Sequence, residues 1–240
     1  PIVRAEIRER VVESRIETQV GRRIGYVRLD RFTTGSAKSF RDAVAKLTDQ
    51  KVTGLVFDLR GDPGGLVDEA IGVTGVFLPE ETGVARTKSR DGESQTLRTD
   101  DAPVVNQKVP LIVMVDRNSA SASEIVAGAL RDAGRAKLVG SRTFGKALIQ
   151  TTRTLADGSA IKFTTASYLT PKGFDLGTRG LAPDVDVVDD PLHQGVRQPL
   201  LDRPRAPRGG DRDFLALLLD RFREGDQALG VGTHPLRLGH

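Results

Sequence analysis

Two short apolar runs, residues 53–59 (TGLVFDL) and 110–115 (PLIVMV), constrain this chain most. Each is nearly free of polar side chains and too short for a typical helix. That is the pattern of a strand buried on both faces inside a layered sheet. Each run is followed by a polar or glycine-rich turn and then by a helix-like segment: 61–65 then 66–77, and 116–120 then 121–132. Strands alternating with helices predict an α/β core.

The remaining segments fit that frame. Residues 24–29 (IGYVRL) read as a strand. Phe40, Val44 and Leu47 recur at helical spacing and predict a helix over 36–49, with Ser36 or Ser39 as its N-cap. Ile125, Val126, Ala129 and Leu130 form the apolar stripe of the 121–132 helix, and Gly134 is its stop signal. Residues 136–139 suggest another strand. Residues 148–155 and 160–169 suggest an antiparallel pair around the turn signal Asp157-Gly158. Four stretches result: an N-terminal segment over 1–23, a core over 24–188, a Pro- and Arg-rich linker over 189–210, and a C-terminal helix and tail over 211–240. In the last, Phe214, Leu217, Leu218 and Phe222 make an amphipathic face.

Charge and composition exclude several functions. The net charge of +4 is the small difference between 36 basic and 32 acidic residues. Arg197, Arg203, Arg205 and Arg208 cluster without aromatic neighbours, which argues for a solvated linker and against nucleic-acid binding. The chain has no cysteine, so a thiol nucleophile and a Cys-based zinc site are excluded. No cofactor or metal cluster is expected. His193, His234 and His240 all follow the predicted core, so none is placed for a Ser–His–Asp centre. The lone methionine, Met114, suggests a processed form or part of a longer chain, and the lack of a targeting segment is then uninformative.

Three turns could carry chemistry. Asn118-Ser119-Ala120-Ser121-Ala122-Ser123-Glu124 joins a buried strand to a helix. Such a turn can expose a hydroxyl beside the free N–H groups of a helix N-terminus, where an oxyanion is stabilised. Ser121-x-x-Glu124 also matches a capping box, and from this stretch alone capping is the favoured reading. Gly140-Ser141-Arg142-Thr143-Phe144-Gly145-Lys146 nearly matches a phosphate-binding loop. However, position 147 is alanine, and a strand-like segment follows where a helix is needed. Asp58-Leu59-Arg60-Gly61-Asp62-Pro63-Gly64-Gly65 follows a strand, and its paired glycines allow a close backbone approach to a ligand.

Taken together, the three turns resemble the C-terminal processing (tail-specific, S41-type) proteases. The resemblance runs from about Ile24 to Asp184 and includes Gly25-Tyr26-Val27-Arg28, Thr164-Thr165-Ala166 and Leu169-Thr170-Pro171. It implies Ser121 as nucleophile, Lys146 as base and Gln150 as the residue that orients the lysine. It also implies an oxyanion hole from the N–H groups of Gly64 (or Gly65) and Ala122. Asp132 matches an acidic residue implicated in some members, and a plain helix-end hydrogen bond to neighbouring backbone or Arg135 is at least as good a reading of it. The lysine would need burial, because a buried amine is driven toward its neutral, basic form. In a strand, residues 146, 148 and 150 would share a face.

The fold implied is a crotonase/ClpP-like core of repeated ββα units with N- and C-terminal appendages. The substrate implied is an unfolded or C-terminally tagged polypeptide, outside the cytoplasm. A homo-oligomer is left open. Two departures stand out: Asp62 where the family usually has asparagine, and Ala147 where it usually has glycine. The stretch before Ile24 has no room for the family's upstream PDZ domain, which is either separate from this sequence or dispensable. The competing readings are a crotonase-like acyl-CoA hydratase or thioesterase, which leaves the Ser121–Lys146 pairing unused, and a non-catalytic peptide-binding homologue.

Overall fold

The computed structural model describes residues 10–187, apart from 20, 21, 90, 91 and 93. The linker and C-terminal helix expected beyond residue 188, and all three histidines, lie outside the described residues.

The main sheet has six strands: β1 (Val12–Gln19), β2 (Arg22–Leu29), β3 (Gly54–Asp58), β6 (Leu111–Val115), β7 (Lys137–Gly140) and β10 (Val185–Asp186), in the order β1-β2-β3-β6-β7-β10. β1 is antiparallel to β2, and every other pairing is parallel. The two apolar runs become β3 and β6, which lie side by side at the centre with every residue buried. Their side chains alternate between faces, as the period of two requires. Leu55, Phe57, Val113 and Val115 join the large core with the helices. Val56, Ile112 and Met114 join a smaller cluster with Ile24, Tyr26, Val139 and Val185.

Helices α1 (Ser36–Asp49), α2 (Val67–Gly75) and α3 (Ala122–Asp132) supply apolar side chains to the large core. Phe40 of α1, Phe57 of β3 and Phe77 just after α2 pack as an aromatic trio, with ring centroids 4.6 to 5.9 Å apart. The cap of α1 differs from expectation. Its N-cap is Gly35, and the Gly35 and Ala37 N–H groups donate to the Glu69 carboxylate of α2 at 2.6 and 2.7 Å. Ser36 is already inside the helix, and its hydroxyl also meets Glu69.

A second, antiparallel sheet has the order β5-β4-β9-β8, from β4 (Gly83–Ser89), β5 (Thr96–Arg98), β8 (Leu148–Thr154) and β9 (Ala160–Leu169). A short helix, α4 (Leu176–Arg179), precedes β10. β8 and the outer half of β9 form a ribbon with almost every residue exposed. The boundary expected at Ile24 falls inside the β1–β2 hairpin, where Val12 pairs with Leu29 and is buried in the large core. The N-terminal segment is therefore an integral strand from residue 12 onward.

The topology fixes where chemistry can occur. β3, β6 and β7 are adjacent and parallel, so the loops leaving their C-terminal ends emerge together. Those loops are residues 59–66, 116–121 and 141–147, which hold the three candidate motifs. The C-terminal ends of parallel strands are the usual place for ligands in open α/β sheets.

Phe57→Ala should cost about 3–5 kcal/mol of stability, because the ring lies at the centre of the trio and no polar group is left behind to relax around. A urea midpoint within error of the parent protein's would show that the trio does not hold α1 and α2 to the sheet.

Candidate active site

Ser121 sits at the sharp junction of β6 and α3 with φ 58° and ψ −116°. A residue with a Cβ rarely adopts that backbone, and such strain persists only where the surroundings over-determine it. The three serines of the run have different fates. Ser119 is fully buried, and its hydroxyl donates to the Leu59 carbonyl at 2.8 Å. Ser123 is fully buried, and its hydroxyl donates to the Asp62 carbonyl at 3.0 Å. Ser121 alone of the three is partly open to solvent. Ser119 and Ser123 therefore bind the serine turn to the 59–66 loop, and Ser121 is left available for chemistry.

Glu124 joins the serine turn to the lysine turn. It is fully buried at the third position of α3. Its Oε2 accepts the Ser121 N–H at 2.9 Å and the Lys146 N–H at 2.8 Å. Its Oε1 accepts the Thr143 hydroxyl at 2.5 Å and the Gly145 N–H at 2.7 Å. The capping-box reading of Ser121-x-x-Glu124 thus captures one of four donors. A buried carboxylate is tolerable only with such compensation, and the N-terminus of α3 adds a favourable dipole. The lysine turn is fixed further by Phe144 N–H to the Ser119 carbonyl at 3.0 Å and Leu181 N–H to the Thr143 hydroxyl at 2.7 Å.

The side chain of Lys146 is less constrained than its backbone. Lys146 is exposed, and no hydrogen bond joins its amine to Ser121 among the described residues. The burial expected of a lysine base is therefore not provided by the described part of the chain. The physical reason is the open ribbon that begins here: Phe144 is 64% and Leu148 53% exposed. Gln150 is exposed on β8, and β8 starts at Leu148, so Lys146 lies in the turn before the strand that was expected to carry it. Asp132 lies at the far end of α3, where its carboxylate accepts the Lys172 N–H at 2.9 Å. That bond is structural and remote from Ser121.

The glycine turn packs directly on the serine turn. A Cβ on Gly64 would lie 2.5 Å from the Ala120 carbonyl oxygen and 2.8 Å from the Ala122 nitrogen. A Cβ on Gly65 would lie 2.0 Å from the Phe32 carbonyl oxygen. Both positions have positive φ, so only glycine fits. The Gly64 N–H, expected as an oxyanion donor, here donates to its neighbour Asp62 Oδ1 at 2.7 Å. Among the described residues no acceptor takes the N–H of Gly65 or Ala122.

Two more carboxylates belong to this turn: Asp58 was given no role from sequence, and Asp62 was noted only as a departure from the family's usual asparagine. Asp58 is buried under a guanidinium fork: Arg60 Nε and Nη2 reach its two oxygens at 3.0 and 2.8 Å. Tyr26 donates its hydroxyl at 2.5 Å, and Arg28 Nη1 approaches to 3.4 Å. Burial alone would raise the Asp58 carboxyl, but Arg60 and Arg28 outweigh it and hold it below the ordinary range. The same burial, with Asp58 beside it, pushes the Tyr26 phenol up to about 12. An Asp-x-Arg directly after a fully buried strand was the available signal.

Asp62 has the opposite fate. It is fully buried, and its Oδ2 has no hydrogen-bond partner. Burial pushes its carboxyl from 3.8 up to about 7, despite the Gly64 N–H that it holds. The folded-state value is raised, so the folded chain holds this proton after the unfolded chain has lost it. The resulting stability is fully present below about pH 4 and is lost as pH rises through about 7. Thermal melts should therefore show Asp62→Asn gaining on the parent protein between pH 5 and pH 8, by up to a few kcal/mol. An unchanged difference across that range would mean Asp62 is not held neutral.

Glu124→Gln should loosen the lysine turn, because an amide group must then face N–H or O–H donors. A loss of about 2–4 kcal/mol is expected, with faster amide hydrogen exchange at Gly145 and Lys146. Unchanged protection at both amides would remove Glu124 from its joining role.

Comparisons with known proteins place the chain in a family. The Peptidase family S41 model matches residues 23–187. A carboxyl-terminal-processing protease of Synechocystis sp. is 40% identical over 176 residues, covering 73% of this chain and 40% of the relative. A Staphylococcus aureus protein named "Probable CtpA-like serine protease" is 36% identical over 191 residues, covering 79% of this chain and 38% of the relative. The solved photosystem II D1 C-terminal processing protease superposes with a TM-score of 0.70 at 33% identity, over 76% of this chain and 50% of that one. The chain thus spans about two fifths of the length of these curated relatives. With the model matching well over half of its residues, the chain belongs to peptidase family S41.

Proposed function

We propose that this chain is the catalytic core of a serine endopeptidase that cleaves unfolded or C-terminally tagged polypeptides through Ser121 and Lys146. The observation that carries the reading is the Glu124 carboxylate, which holds the strained Ser121 turn and the backbone of Lys146 through one buried group. The Lys146 amine takes the Ser121 hydroxyl proton as Oγ attacks the scissile carbonyl. The resulting oxyanion is met by the Ala122 N–H and an N–H of the Gly64–Gly65 turn. Lys146 returns the proton to the leaving amine, and water then hydrolyses the acyl-enzyme. Gln150 orients the amine without adding charge.

The exposure of Lys146 adds a condition. Its amine has to lose solvent before it can act as a base near neutral pH. A polypeptide laid over the open ribbon, or another part of the protein, would supply that cover. An upstream PDZ domain that captures the substrate's C-terminus fits this need, as does a homo-oligomer. The finer fold assignment, a crotonase/ClpP-like core of ββα units, and an extracytoplasmic location belong to the same reading. Among the described residues no helix is long and apolar enough to cross a membrane.

Ser121→Ala and Lys146→Ala should each abolish cleavage of an unfolded protein, by about 10³-fold or more, with circular dichroism unchanged. Replacing His193, His234 and His240 together with glutamine should leave the pH–rate profile as it was. Wild-type turnover in Ser121→Ala would refute the nucleophile, and loss of the basic limb in the histidine variant would refute a lysine base.

A further inference from the structure

Asp62 is the least satisfied buried group around the candidate site. It is fully buried, with one oxygen holding the Gly64 N–H at 2.7 Å and the other without any partner. Its main-chain carbonyl accepts the Ala120 N–H at 3.0 Å and the Ser123 hydroxyl at 3.0 Å. The residue therefore touches the serine turn on both sides of Ser121. Gly64, which it holds, lies against Ala122 and the Ser121 Cβ so closely that no side chain fits between them. A carboxylate here controls one of the N–H groups nearest the nucleophile.

Resting on the Ser121 reading above, we propose that Asp62 is a protonation-controlled positioning residue for the oxyanion site. As a carboxylate it keeps the Gly64 N–H on its own oxygen and sets a negative charge beside the developing oxyanion. As a neutral acid it holds that N–H weakly and lets it turn to the acyl oxygen. Charge-assisted hydrogen bonds are about twice as strong as neutral ones, so loss of the charge weakens the hold. A negative charge close to an oxyanion also opposes it, most of all where water is excluded.

The surroundings place this change in the physiological range. Burial raises the Asp62 carboxyl most; Asp30 on the segment after β2 raises it further, and Arg28 on β2 opposes. The other charged groups near the turn are engaged elsewhere. Asp58 is taken by Arg60. Asp116 Oδ1 accepts the Gly61 and Ser119 N–H groups. Glu124 on α3 is turned to the lysine turn. No cation faces Oδ2 closely enough to bond it among the described residues, so the orphaned oxygen favours a proton.

The test compares the parent chain with Asp62→Asn, a neutral isostere. A fluorophosphonate probe forms a covalent bond to the Ser121 hydroxyl oxygen with loss of fluoride, and intact mass gives the rate. The Asp62→Asn to wild-type ratio should be near one at about pH 5.5. It should climb through about 7 to about tenfold at about pH 9, a fraction of the 10²–10³-fold cost of losing an oxyanion donor. Other titrations common to both proteins cancel in that ratio. Independently of activity, the Gly64 amide NMR resonance of the wild-type chain should shift with an inflection near pH 7 that Asp62→Asn lacks.

A flat ratio overturns the proposal. So does a Gly64 amide without that inflection, and this second readout decides even where Asp62→Asn loses its fold. A probe that labels Ser121→Ala as fast as the parent overturns the Ser121 reading instead, while the Gly64 titration still reports on Asp62.

Discussion

The arrangement around Ser121 depends on one buried carboxylate. Glu124 takes four donors from two separate turns: Ser121 N–H on one side, and Thr143, Gly145 and Lys146 on the other. Each oxygen serves two donors, so no lone pair is wasted on an empty direction. Removing the carboxylate would leave buried N–H groups without acceptors, at roughly 1–3 kcal/mol each. Seen from the sheet, β6 and β7 deliver their loops to the same end, but proximity alone does not set a register between them. Glu124 sets it, and it does so from within the first turn of α3, where its own backbone is fixed by the helix.

That division between rigid and open parts follows from burial. The backbone of the serine and lysine turns is tied to the sheet by bonds through buried groups. The ribbon of β8 and β9 beyond Lys146 has no such ties on most of its length and exposes Leu148, Ile161 and Phe163. Apolar side chains on a sheet edge are a liability in an isolated chain. They make physical sense where something else covers them in the working protein. On the serine–lysine reading proposed above, two requirements separate: the backbone positions are set locally, and the desolvation of the amine is left to a cover.

How much of this could be read from sequence varies with the physical cause. β3 and β6 were legible because strands buried on both faces leave uninterrupted apolar runs. α1 was legible because Phe40, Val44 and Leu47 repeat at the helical period and are all buried. β4 and β5 carried no such signal, since Arg86, Lys88 and Arg98 put charge on short, half-exposed strands. The pairing of β1 with β2 was hidden for a similar reason: charged residues alternate with its apolar ones, and only the hairpin fixes its register. The cap of α1 was misread because its acceptor, Glu69, comes from another helix. At the site, motif order picked out the glycine, serine and lysine turns, which the fold brings to one end of the sheet. Nothing local to the lysine could report its exposure, which depends on what packs over the ribbon.

Three buried carboxylates around one cluster of loops show how partner sets decide role. Asp58 meets two arginines and stays ionised below the ordinary range, so it works as a fixed structural charge. Glu124 meets four neutral donors and acts as a joint. Asp62 meets one N–H and leaves an oxygen bare, which pushes it toward its neutral form. Burial is common to all three, so burial alone cannot explain the differences. The number and charge of donors does, in line with the rule that environments pushing titratable groups apart mark distinct roles. An asparagine at position 62 would keep the N–H acceptor and remove the charge. The aspartate adds a proton equilibrium to a contact that needs none for folding, which is the reason to look for its effect at the Ser121 turn.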